Sequence, residues 1–163
     1  MIGIRELCHG DLEEVRALLA ELAEFTSGGA RSVDAIDIEG IFNTMRRAPE
    51  VYASWVAVEA GRVIGFLSLI FYKTLFHPGG TALINELVVA RDRRGQGVGR
   101  LLVRRAVEEA RSRAMDEIEV GTERGNTAAQ RFYKASGFAG EYVLLGMEFD
   151  TGAAAPTGSG GKV

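Results

Sequence analysis

The 163-residue chain suits one domain of ordinary size, and 47% of its residues are apolar, enough to build a core. No apolar run reaches the ~18 residues that a membrane helix needs, and a net charge of −3 argues against a general nucleic-acid surface. The single cysteine, Cys8, excludes an internal disulfide and a thiolate metal cluster, so no metal site is expected.

The N-terminus "MIGIRELCHGDLEEVR" lacks a charged-then-apolar export layout, which gives the expectation of a cytoplasmic protein. Charge is unevenly spread. Residues 11 to 39 hold eight acids against Arg16 and Arg31, whereas residues 91 to 105 hold six arginines against Asp92. One end suits an anionic ligand, the other a cationic one.

In chain order, "IGIREL" reads as a strand, with Cys8 a half-buried thiol at its end. "DLEEVRALLAELAEF" reads as a helix, with Asp11 and Glu14 at capping-box spacing and Leu12, Val15, Leu18, Leu19 and Leu22 on one face. After the loop "TSGGARS", "VDAIDIEGIFNTMRRA" reads as a second helix, weakened by Gly40 and stopped by Pro49. "YASWVAVEA" and "RVIGFLSLIFY" form a hairpin whose turn has Gly61 available for a positive φ.

"TALINELVVA" is apolar on both faces, as a strand covered on both sides is. "VGRLLVRRAVEEARSRA" is helical, and "EIEVGT" is a short strand. "NTAAQRFYKAS" is a helix capped by Asn126 and ended by Gly137. "FAGEYVLLGMEF" predicts a closing pair of strands or one bent strand. The tail, residues 151 to 163, has no large apolar side chain and is expected to be disordered, leaving residues 1 to 150 as a single domain. The element order predicts an α/β fold, a mixed sheet with helices on both faces.

The stretch "ELVVARDRRGQGVGR" places glycines 95, 97 and 99 between a buried strand and a helix start. A helix N-terminus offers unpaired N–H groups and partial positive charge, and glycine lets an anion approach the main chain. A Walker loop needs Lys and then Ser or Thr after its last glycine, but Arg100 and Leu101 follow here. A dinucleotide fingerprint fits only in part, because Leu102 stands at its third glycine.

Arg94-Gly95-Gln96-Gly97-Val98-Gly99 resembles the pyrophosphate loop of the GNAT-type N-acetyltransferases, and "ELVVARD" resembles the strand before it. "NTAAQRFYKASGF" resembles the later motif of that family, with Asn126, Ala129, Tyr133, Gly137 and Phe138 in its spacing. The two blocks occur in the family's order, and the motif detail covers residues 81 to 138.

The resemblance implies a GNAT-like fold, with a mixed, mostly antiparallel central sheet flanked by helices on both faces. It implies acetyl-CoA as co-substrate and a primary amine as acceptor, joined by direct attack in a ternary complex. A CoA-binding sensor of the same fold without catalysis is the alternative. Main-chain N–H groups of Gly95, Gln96, Gly97, Val98, Gly99 and Arg100 would hold the pyrophosphate, with Arg94 adding charge. Leu87, Val88 and Val89 would pair along the pantetheine arm at a bulge in the strand, and a backbone N–H near Leu87 or Val88 would face the acetyl oxygen. Asn126 would contact the same arm. Tyr133 would be the general acid at the sulfur.

Glu86, just before the expected bulge, is the candidate base, with an arginine ion pair as its structural alternative. Glu119, Glu123 and His77 are weaker candidates. Glu21, Glu24, Asp34, Asp37 and Glu39 lie where the family forms an acceptor wall, and Phe25, Phe42, Trp55 and Phe71 are pocket or core aromatics. An acidic wall would favour a polyamine, an aminoglycoside-like molecule or a peptide amine. Homodimers through the C-terminal strands are common in the family. Neither a nucleic-acid nor a membrane partner is expected.

Overall fold

The computed structural model describes residues 1–24 and 33–147. Phe25 and the tail from residue 148 lie outside them. Five strands form one sheet in the order β1 (Gly3–Glu6), β2 (Tyr52–Glu59), β3 (Arg62–Tyr72), β4 (Thr81–Val89) and β5 (Glu117–Val120). The first three pairings are antiparallel and the last is parallel. The mixed α/β architecture is therefore the expected one.

Strand alternation divides the core into two layers. Trp55, Leu67, Leu69 and Ile84 face α3 (Val98–Ser112) and α4 (Thr127–Ala135). Val56, Val63, Phe66 and Val88 face α1 (Leu12–Ala23) and α2 (Ile38–Arg46). Phe42, Trp55 and Phe71 all belong to the core. Gly65 lets α3 lie close on the sheet, since a Cβ there would sit 3.0 Å from Leu102 and 3.2 Å from Val98.

The hairpin turn is as predicted, with Ala60 and Gly61 both at positive φ. Asn126 caps α4 by accepting a hydrogen bond from Ala129 N at 3.0 Å, and Gly137 follows at φ 101°.

Four local expectations are corrected. Asp11 does not cap α1. Its carboxylate, itself buried, turns back to accept from the Arg5 guanidinium and from Cys8 N, and this charged, two-point pairing outcompetes a single helix-cap bond. Glu14 accepts from Val63 N instead of closing a capping box. Cys8 is exposed rather than half-buried. The second predicted helix begins later, at Ile38, because Asp37 caps it by accepting from Gly40 N at 2.9 Å.

The largest difference lies at the C-terminal end. Residues 138–147 form no strand, and Tyr142, Val143, Leu144, Leu145 and Met147 are exposed. Their apolar pattern suits a strand only when a neighbour covers one face, and among the described residues Tyr142 to Met147 pair with no strand. Among the described residues β5 is consequently one edge of the sheet, with β1 at the other.

Candidate functional site

The site is set by how β4 runs. It pairs with β5 only from Thr81 to Ile84, so β4 parts from β5 beyond that point. On its other side β4 stays paired with β3 as far as Val89. Ala90 N donates to Ile64 O at 3.0 Å, which fixes the alternation. Val88 then directs its N–H and C=O toward β3, whereas Leu87 and Val89 direct theirs to the open edge. Of the three residues expected to meet an extended ligand, Val88 turns its main chain into the sheet, and Leu87 and Val89 turn theirs outward.

The bulge lies before Glu86, not after it. Ser68 pairs with Glu86 while Leu69 pairs with Ile84, leaving Asn85 as the extra residue.

Beyond β4, a short 3-10 turn, Arg91–Arg93, leads into the glycine loop. Gly95 and Gly97 adopt φ of 76° and 84°, a region that favours glycine, and open space surrounds the position of a Cβ at each. The first intrahelical bond of α3 runs from Leu101 N to Gly97 O. The N–H groups of Val98, Gly99 and Arg100 therefore have no acceptor within the helix and stand at its positive end. Gln96 braces the loop through Asp92 O at 3.1 Å.

Gly99 has a different reason for being glycine. It lies inside α3, and a Cβ there would meet the Phe132 ring at 3.2 Å, so it brings α3 and α4 together.

Most of the arginines are taken by carboxylates. Arg94 donates to Val89 O and to Glu21, Arg91 pairs with Glu24, and Arg93 pairs with Glu59. Arg100 is exposed, and among the described residues it has no ion-pair partner. It is the guanidinium at this helix start that stays available to an anion. Arg94 braces the loop instead.

On the α1/α2 side of the sheet lies a cavity of about 520 Å³. Asp37, Ile41, Met45, Ser68, Asn85 and Glu86 are among the residues lining it. Among the described residues Glu86 has no arginine partner. Its carboxylate accepts from Ser68 Oγ and, at 2.6 Å, from Asn85 Nδ2.

The expected acidic wall is mostly dispersed. Glu21 and Glu24 hold the arginine loop, Glu39 lies 3.2 Å from His9, and only Asp37 of the five lines the cavity. Gly40 beside it is forced, because a Cβ would stand 2.2 Å from Asp37 Oδ2. Glu119 accepts from Tyr72 Oη and His77 lies 3.6 Å from Glu117, away from the cavity lining.

Tyr133 packs between Phe132 and Phe138 on the α3/α4 side of the sheet, opposite Glu86. Burial pushes its phenol up to about 12, so it keeps its proton at neutral pH. Among the described residues its hydroxyl has no hydrogen-bond partner.

Ser68 and Asn85 line the cavity, and the linear pattern does not single them out. The available signal was a polar side chain in each of two otherwise apolar strands, "GFLSLIF" and "ALINELVV". Among the described residues no three His, Cys, Asp or Glu side chains could hold a metal, and no helix is long and apolar enough to cross a membrane.

Known proteins share both the pattern and the architecture. Residues 15–138 match the model of the acetyltransferase (GNAT) family. The chain is 30% identical to the aminoalkylphosphonate N-acetyltransferase of Salmonella typhimurium (strain LT2), over 85% of this chain and 87% of that one. Among solved structures, a transcriptional regulator from Bacillus halodurans C-125 superposes with a TM-score of 0.79 at 28% identity, covering 91% of this chain and all of that one. AAC(6′)-Iy in complex with the bisubstrate analogue CoA-S-monomethyl-acetylneamine superposes at 0.72 and 22% identity, covering 91% and 99%. With the opened β4, the glycine loop and a family match over most of its length, this chain belongs to the GNAT acetyltransferase family.

Proposed function

We propose that the protein transfers the acetyl group of acetyl-CoA to a primary amine by direct attack within a ternary complex. The observation that carries this reading is the parting of β4 from β5 directly before a left-handed glycine turn, with a carboxylate at the same point of β4.

The residues fit the co-substrate. The N–H groups of Gly95 to Arg100, the helix dipole and the Arg100 guanidinium suit a pyrophosphate. The main-chain groups of Leu87 and the N–H of Val89, whose carbonyl already accepts from Arg94 Nε, suit the amides of the pantetheine arm. Asn126, whose side chain caps α4, borders that arm through the same motif.

An alkylammonium loses its proton near pH ~10.4, so the acceptor arrives mostly charged. Glu86 holds the ammonium and takes its proton, directly or through water. The amine nitrogen then bonds to the acetyl carbonyl carbon. The Leu87 N–H faces the oxygen as it gains charge. As the C–S bond breaks, Tyr133 gives its proton to the departing sulfur from the opposite face of the sheet; the nitrogen, now bonded to the acetyl carbon, sheds its second proton, which restores the Tyr133 phenol through solvent, and the first proton leaves from Glu86 to water. The reaction passes through the gap that β4 leaves beside β5.

The cavity also informs the acceptor. Its described lining contains two carboxylates, Asp37 and Glu86, and no Lys, Arg or His, beside the apolar Ile41, Met45 and Ile70. An acceptor with an apolar or cationic body suits it. A phosphonate, as acted on by the Salmonella relative, would meet like charge.

A thiol-release assay with acetyl-CoA and hexylamine, tyramine, spermidine and 2-aminoethylphosphonate tests the proposal. Turnover of at least one of the first three, with the phosphonate poorest, is expected. Tight CoA binding without turnover of any amine would leave a CoA-binding module, and the enzyme reading would fall.

A further inference from the structure

The bulge at Asn85 has a chemical consequence. In a regular strand successive side chains alternate between faces. Ile84 faces the α3 side, so an unbulged Glu86 would face that core as well. The extra residue resets the alternation, and both Asn85 and Glu86 line the cavity on the α2 side. Leu87 then returns to the α3 side.

Ser68 stands opposite Glu86 on β3 and is 1% exposed. Its hydroxyl accepts a hydrogen bond from Glu86 N at 3.3 Å. That leaves its own proton for Glu86 Oε2, to which it donates. Asn85 Nδ2 takes the other oxygen, Oε1. The two donors are thus fixed by main-chain register and the bulge, and both carboxylate oxygens are held.

We infer that Ser68 and Asn85 are positioning residues for Glu86: they hold its carboxylate toward the acceptor cavity rather than stabilising the sheet. The inference rests on the proposed role of Glu86 as the group that receives the amine proton. A carboxylate free to rotate about its side-chain bonds would spend much of its time away from the nucleophile, which lowers turnover without altering co-substrate binding.

A double-mutant cycle separates a positioning role from a structural one. With acetyl-CoA and the fastest amine of the panel, Glu86→Gln is expected to lower kcat about 100-fold. Ser68→Ala is expected to lower kcat about tenfold, leaving the KM for acetyl-CoA within about twofold. In the Glu86→Gln background, Ser68→Ala should change kcat by less than about twofold, because its effect passes through the missing carboxylate.

Asn85→Ala, at an exposed position that does not burden the core, should behave in the same way. The inference is overturned if Ser68→Ala and Asn85→Ala cost as much in the Glu86→Gln background as in the wild type. It is also overturned if neither lowers kcat while Glu86→Gln does. A Glu86→Gln enzyme with wild-type kcat would remove the base reading, and this inference with it.

Discussion

The glycine loop at the start of α3 and the cavity beneath α2 meet at β4, yet they are built from different materials. The loop presents main-chain N–H groups, and its geometry depends on two left-handed glycines, Gly95 and Gly97, with one residue between them. The cavity presents side chains brought from α2, β2, β3 and β4. The ligand proposed for the loop is an anion that a correctly turned backbone can bind, and the one proposed for the cavity must be selected by shape and charge. Substitutions should therefore separate the two ends.

The largest effect is expected at the leaving group. Tyr133→Phe removes a neutral donor and should lower kcat by about 100-fold while the Kd for CoA stays unchanged. Stopped-flow turnover with calorimetric CoA binding checks this. A parallel loss of CoA affinity would make Tyr133 a packing residue.

Next comes the loop. Gly97→Ala forces a Cβ into φ 84°, at a cost of about 1–2 kcal/mol, relieved by turning the loop. CoA affinity should fall about tenfold with acceptor selectivity intact. Gly99→Ala at the same spacing should instead lower the thermal midpoint, since its Cβ meets Phe132.

At the acceptor end, Gly40→Ala drives the Asp37 carboxylate off its cap. It should raise the acceptor KM a few-fold and cost about 1 kcal/mol of stability, with CoA binding unchanged.

The smallest functional effect lies outside both ends. Hydrogen bonds from Arg5 hold the Asp11 carboxyl down at about 2, against an ordinary value near ~3.9. A depressed carboxylate contributes stability that is fully present above ~3.9 and is lost as pH falls toward 2. The amount is about 2 kcal/mol. Urea melts of wild type and Asp11→Asn should converge as pH falls through that window, with kcat at neutral pH unaffected.

The different construction also explains what was legible in the sequence. The loop, the helix after it and the Asn126-capped α4 could be read because their determinants are contiguous and local. The mixed sheet could be read from strand lengths and apolar runs. Ser68 and Asn85 could not be assigned, because their partnership with Glu86 depends on a one-residue register shift between two strands.

The acidic wall was misjudged for a related reason. Glu21 and Glu24 are far in sequence from Arg94 and Arg91, so composition could not show that these charges neutralise one another. Residues 138–147 carry an apolar pattern that predicts a strand, but a strand needs a neighbour, and pattern alone does not supply one.

The central claim is that acetyl-CoA lies along the open edge of β4 with its pyrophosphate on the start of α3. Backbone amide shifts measured by ¹⁵N NMR during a CoA titration test it most directly. The largest changes are predicted for Leu87 and Val89 and for Gly95 through Arg100, with Val88, hydrogen-bonded into β3, changing less. Saturating CoA that leaves those amides unmoved, or that moves chiefly Asp37, Ile41 and Met45, would contradict it.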